Sequence, residues 1–309
     1  MTNLKKLGLT ALAGSLVATS AFAGEMSVSG TAKVSYTSGD TLAVTGNPWS
    51  ASNALSFSGG GELDNGMSVS VAIATDTGST AFSSSNLVLD MGDAGKFAVS
   101  KEMSSGHGYN AYQDKMPTAG EEVWDDMSGE ASGRVGMEDN GMLSYGNSLG
   151  GANFSVAYNK DSATDGSDKS VGVDYSPMDG MMVFIGQSDI AAGTNDTDTH
   201  TTFGGTYTTM GATVGVQMTS IDDATANSDI DRTHIAASFA VNENLSVSYG
   251  LSTVEFEAAS KTDQEDSGFG ASYTMGSMSF GASMLASDNV GGTSGSDDTH
   301  KELSVAFAF

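Results

Sequence analysis

Carboxylates are the side chains this sequence has in excess. Asp and Glu number 38 against 12 Lys and Arg, a formal net charge of −26. Many fall in short clusters: Asp222-Asp223, Asp229-Asp231, Glu255-Glu257, Glu265-Asp266 and Asp297-Asp298. Five more, Asp114, Glu121, Glu122, Asp125 and Asp126, crowd into one long polar segment. Ringed around an aqueous passage, such groups select cations. Scattered over outer loops, they keep a surface solvated. For the five short clusters the solvating role is the expected one. Carboxylate oxygens also bind Ca²⁺ or Mg²⁺, but no loop of fixed spacing defines a site here. Loose divalent binding at acidic outer loops stays open, and no other cofactor is expected.

Covalent chemistry finds no machinery. His107, His200, His234 and His300 form neither H-x-x-x-H nor H-E-x-x-H. There is no G-x-S-x-G elbow, and with no cysteine there is neither disulfide nor thiolate. Gly59-Gly60-Gly61 sits inside a strand pattern, without the following helix that a phosphate cradle needs. It suits barrel curvature or close packing. The chain is therefore not expected to be an enzyme. Its acidity also argues against a nucleic-acid partner, which the same field would repel.

The elements that position these residues begin with an export signal. Lys5 and Lys6 precede an apolar or small run (7–19), and Ala21-Phe22-Ala23 forms an A-x-A cleavage site. That run is too short for a spanning helix, which needs about 20 residues. Residues 1–23 are expected to be a signal peptide and 24–309 a single domain. No later apolar run reaches helix-spanning length. A membrane location thus demands a closed barrel, which hides its backbone polar groups without hydrophobic helices.

Period-two alternation runs through the rest of the chain, the pattern of strands with one apolar face. Met26, Val28, Ala32, Val34 and Tyr36 alternate with Ser27, Ser29, Thr31, Lys33 and Ser35. Comparable segments recur to Leu303, Val305, Phe307 and Phe309, and sixteen strands are read in all. The segment 181–186 is apolar on both faces. Seven connections are tight (63–68, 91–96, 147–153, 176–181, 208–213, 241–246 and 274–279), most with Gly or Asn where a hairpin needs positive φ. Eight are longer and polar, at roughly 37–52, 76–84, 103–139, 161–167, 189–197, 221–229, 256–266 and 288–298. An even strand number with short turns at one end and long loops at the other marks an outer-membrane barrel. A calcium-binding β-roll would need a G-G-x-G-x-D repeat, which is not found in register. Strand parity turns Lys33, Arg232 and His234 to the lumen. Tyr36, Tyr145, Tyr158, Tyr175 and Tyr249 fall at or near strand ends, as interfacial girdles do. Trp49 and Trp124 read as loop-packing residues.

In this order the motifs resemble the sixteen-stranded trimeric general porins of Gram-negative outer membranes, in their proteobacterial branch. EMSVSGTAKVSY (25–36) is similar to the family's first strand. GRVGMEDNGMLSYGNSLGGANFSVAY (133–158) resembles the stretch after its constriction loop, and the closing AFAF its terminal aromatic. The resemblance implies a transmembrane antiparallel β-barrel whose long third loop folds into the lumen. Asp114, Glu121, Glu122, Asp125 and Asp126 would then form an acidic constriction. Lys33, Arg134, Arg232 and His234 would supply the basic or polar wall, although no arginine ladder is visible. Phe309 would be the signal read by the barrel-assembly machinery. The implied partners are two further copies of the chain, outer-membrane lipid and lipopolysaccharide, and small hydrophilic solutes. The expected function is passive, cation-preferring diffusion. A substrate-specific channel, or a non-conducting barrel for surface display, is the alternative.

Overall fold

The computed structural model describes residues 26–39, 47–77, 83–101, 108–112, 115–124, 127–128, 141–160, 166–193 and 196–309. The expected signal peptide lies outside the described residues. The first strands are β1 (Met26–Gly39), β2 (Trp49–Glu62), β3 (Ser68–Asp76), β4 (Ser84–Asp90) and β5 (Lys96–Lys101). After the third loop come β6 (Met142–Leu149), β7 (Ala152–Asn159), β8 (Asp168–Tyr175), β9 (Met181–Gly193), β10 (Asp196–Thr209) and β11 (Ala212–Asp222). β12 (Ile230–Ala240), β13 (Leu245–Phe256), β14 (Gln264–Met275), β15 (Met278–Asp288) and β16 (Asp298–Ala308) complete the chain. Each strand pairs antiparallel with its neighbours, and β1 pairs with β16, so the sheet is a closed sixteen-stranded barrel.

Closure satisfies every edge, which a sheet in lipid must do. The seam is sealed at its end by the last residue. Phe309 N–H donates to Gly30 O at 3.0 Å, and Gly30 N–H donates to Phe309 O at 2.7 Å. The Phe309 ring lies over Gly30, where a Cβ would stand only 2.6 Å from it.

Alternation sorts the two faces. Val34, Phe57, Leu87, Val171, Phe203, Ile235, Phe269 and Phe307 are exposed on the outer face, while Ser35, Ser170, Thr202, His234 and Ser304 are buried on the inner one. Two tight turns show why the short connections are short. Gly150 and Gly151 (φ 61° and 86°), and Met210 and Gly211 (φ 48° and 81°), place two left-handed residues in a row. That is the type I′ geometry whose twist matches the flanking strands.

Three expectations change. The loop foreseen at 189–197 is largely strand: β9 reaches Gly193 and β10 starts at Asp196, with a register shift between Asp196 and Thr197. These strands run to 13 and 14 residues, beyond the ~9–11 that span a bilayer, so their polar ends continue the ladder into water. Trp49 opens β2 rather than lying in a loop, and packs edge-on against Tyr36 with ring centroids 5.1 Å apart. Tyr249 sits at mid-strand, opposite Phe269. In the glycine triplet of β2, a Cβ on Gly60 would meet the Val69 carbonyl at 2.8 Å, so the β2–β3 approach excludes a side chain there.

The apolar core is a seam rather than a centre. Tyr112, Met116, Val123, Trp124 and Met127 of the third loop pack on Phe184, Ala236 and Leu285 of the inner wall. This accounts for the two-sided apolar segment 181–186. Val183 and Ile185 face outward, whereas Phe184 is buried against the loop and Met182 packs beside it.

Candidate solute pathway

The described parts of the third loop (108–112, 115–124 and 127–128) lie inside the barrel, held by contacts to strands from β7 to β16. Gly108 N–H donates to Ser155 Oγ at 2.7 Å. The Tyr112 ring stacks on Phe184, with centroids 5.2 Å apart and planes 6° apart. Its hydroxyl donates to Asp174 Oδ2 at 3.2 Å, and its carbonyl accepts from Gln217 Nε2 at 3.0 Å. Trp124 lies over His234 with centroids 4.1 Å apart. Ser128 Oγ donates to Asp298 Oδ2 at 2.8 Å, and its carbonyl accepts from Gln264 Nε2 at 3.2 Å.

Glycines on the inner wall make room for this path. A Cβ on Gly172 would stand 2.3 Å from Tyr112, one on Gly215 2.7 Å from Pro117, and one on Gly250 2.4 Å from Val123. These positions alternate with outward Val, Leu or Tyr, so each looks in the sequence like any small lumen residue. The sequence carried no signal that set them apart, because β2 and β10 hold glycines as well and β8 and β13 also hold inward serines.

Burial also governs the Tyr112 phenol. Desolvation, and then the nearby Asp174 carboxylate, raise its pKa above the ordinary tyrosine range. The neutral hydroxyl is the form that can donate to Asp174.

The sequence-selected residues separate into three groups. Asp114, Asp125, Asp126 and Arg134 lie outside the described residues, as does His107. Glu121 and Glu122 are described, and Glu122 is only 2 % exposed. Both line a small cavity between loop and wall, with Ser248, Gly250, Gly268 and Gly270 opposite. Arg232 and His234 do project inward, but they are 2 % and 3 % exposed. Trp124 covers His234, so His234 supports the loop from beneath, and neither residue faces the loop across open water. Lys33 stands apart on β1, where its Nζ is 2.7 Å from Glu302 Oε1.

The opposite wall carries many hydroxyls. Ser27 bonds Ser58 at 2.6 Å, Ser35 bonds Ser50 at 2.7 Å, and Ser100 donates to Asn86 at 3.0 Å. Its second inward lysine, Lys96, is 3.0 Å from Asp90. The sequence reading missed this pair, as it missed Glu302, Gln217 and Asp174. Among the described residues, no group of three or more His, Cys, Asp or Glu is arranged to hold a metal ion. A loop pinned to one wall, facing polar hydroxyls on the other, leaves a water-compatible passage.

Solved porin structures share this architecture. An anion-selective porin from Comamonas acidovorans matches with a TM-score of 0.71 at 15 % identity, covering 93 % of this chain and 100 % of that one. A multiply substituted variant of the Rh. blastica porin matches with a TM-score of 0.68 at 15 % identity, covering 92 % and 100 %. A structure described under asymmetric conductivity of engineered proteins matches with a TM-score of 0.67 at 16 % identity and the same coverage. At these identities the likeness shows the fold. No curated protein matches the sequence. The family model for Gram-negative porins matches residues 8–309, nearly the whole chain. The chain belongs to the Gram-negative porin family.

Proposed function

We propose that this outer-membrane channel passes small hydrophilic solutes and ions passively, with a preference for cations. The observation that carries the preference is the state of the bases on the inward face of the strands. Lys33 is paired with Glu302 and Lys96 with Asp90, and Arg232 is buried. By strand parity Glu62 and Asp76 add acid to the open wall. Carboxylates lining a pore raise the local cation concentration. The Comamonas relative is described as anion-selective, so the shared fold leaves the sign of selectivity to the lining side chains.

The same reading gives the acidic side of the passage to Asp114, Asp125 and Asp126, with Glu121 beside them, whereas Glu122 is buried between loop and wall. Phe309 is the residue offered to the assembly machinery, and the barrel works as a homotrimer in contact with lipopolysaccharide. Divalent cations held loosely at the acidic outer loops fit the same charge.

The test is the reversal potential in a KCl gradient across a planar bilayer containing refolded protein. A reversal toward the potassium equilibrium potential supports the proposal. A reversal toward chloride, or a folded barrel that passes no current, overturns it in favour of an anion channel or a display barrel.

A further inference from the structure

On the short-turn side of the third loop, the inner wall from β4 to β8 is hollowed into a recess of about 740 Å³. Its volume lies within the ~300–1,000 Å³ typical of small-molecule sites. The hollow follows from the register. Val88, Ala98 and Ser144 stand side by side on three strands, and Gly146 stands between Lys96 and Ser155 with no side chain to fill the gap. Ala111 and Tyr112 of the loop form the roof. The floor is thus small and largely apolar.

The polar edge is anchored at Asp174. Asn153 Nδ2 donates to its Oδ1 at 2.8 Å, and the Tyr112 hydroxyl donates to its Oδ2 at 3.2 Å. A carboxylate offers roughly four lone-pair positions, so each fixed oxygen keeps acceptor capacity toward the recess. Charge adds to this. Asp93 also lines the recess, and its one lysine, Lys96, is already engaged by Asp90. An anion would meet net negative charge, and a fully polar solute would gain nothing from the valine and alanine floor. An ammonium group on a short hydrocarbon body satisfies both surfaces.

We propose that this recess is a resting site for small organic ammonium ions, with the ammonium on Asp174 and the carbon chain over Val88, Ala98 and Ala111. It lies beside the passage, near the mouth formed by the short turns, which is the periplasmic mouth of such barrels. The inference rests on the channel reading, because the ligand reaches the site through the pore.

The test is equilibrium binding of butylammonium to the folded full-length protein in detergent, by saturation-transfer NMR, with butanol and butyrate as probes of equal carbon chain. Butylammonium should bind tightest of the three. Asp174→Asn should weaken it at least about tenfold, the loss expected for a charge-assisted hydrogen bond. Gly146→Leu should abolish binding by filling the recess. An added Cβ there lies no closer than 3.4 Å to its neighbours, so the barrel itself accepts the change. Equal binding of the three probes, or butylammonium binding unchanged in both variants, overturns the proposal. KCl conductance, measured separately, tests the channel. A conducting barrel without ammonium binding loses the recess alone, and a silent barrel that binds butylammonium through Asp174 loses the channel alone.

Discussion

Lys33 and Glu302 show how one contact sets the charge of the open wall. The pair is part-exposed, at 30 % and 15 % of side-chain area, so it contributes little to stability, as such pairs generally do. Its consequence is electrostatic. Glu302→Gln leaves an uncompensated ammonium in the lumen, and the cation-to-anion permeability ratio should fall. Lys33→Ala should raise it. Paired reversal-potential measurements on the two variants check this, and shifts in the same direction would refute the assignment. Tyr112 gives a pH effect of definite sign. Its folded pKa is raised above the ordinary tyrosine value of 10.0 by burial and by Asp174. The stabilisation is therefore complete below pH 10 and is lost as pH rises through the folded value. Loop protection in hydrogen exchange should decline in strong alkali, and Tyr112→Phe should remove that component of the decline while costing about 1 kcal/mol at neutral pH for the lost hydrogen bond.

The strands were legible because lipid imposes period two on one face and a hairpin imposes glycine at its turn. Val171-Gly172-Val173 and Gly150-Gly151 carry both signals openly. The β9–β10 connection was not legible, because Asp, Thr and Gly serve equally in a loop and in a strand end standing in water. The seating of the third loop was hidden for a related reason. Gly250 reads as a small lumen residue, and only the fold shows that it faces Val123. Trp124 was recognised as a packing residue, but its partner His234 is distant in sequence and appeared to be pore wall. The seat makes a prediction for the loop as a unit. Gly250 has no left-handed backbone requirement, yet its Cβ would collide with Val123 at 2.4 Å. Gly250→Val should keep the barrel, whose ladders are untouched, and push the loop toward the passage. Single-channel conductance should drop while the folded fraction in lipid stays the same. Unchanged conductance would mean that Val123 yields without moving the loop.

For the whole molecule, the barrel supplies closure and the lining supplies charge. Closure is local chemistry at the chain's last residue, where Phe309 and Gly30 exchange two backbone bonds. Charge is collective, spread over a chain of net −26 and over an inner wall whose two open lysines are each matched by an acid. These sources of selectivity differ in their response to salt. A field summed over many carboxylates is screened over about 10 Å at 0.1 M and about 3 Å at 1 M, so it fills a wide passage only in dilute salt. A fixed site that strips an ion of water acts at contact and is screened much less. Cation preference should therefore be strong in KCl gradients near 0.1 M and fall toward parity near 1 M, where potassium and chloride cross according to their similar mobilities. Reversal potentials at the same concentration ratio, taken in both ranges, make the comparison. A preference that persists undiminished at 1 M would move selectivity from the collective field to a close-contact site on the third loop, with Glu121 as the first residue to neutralise.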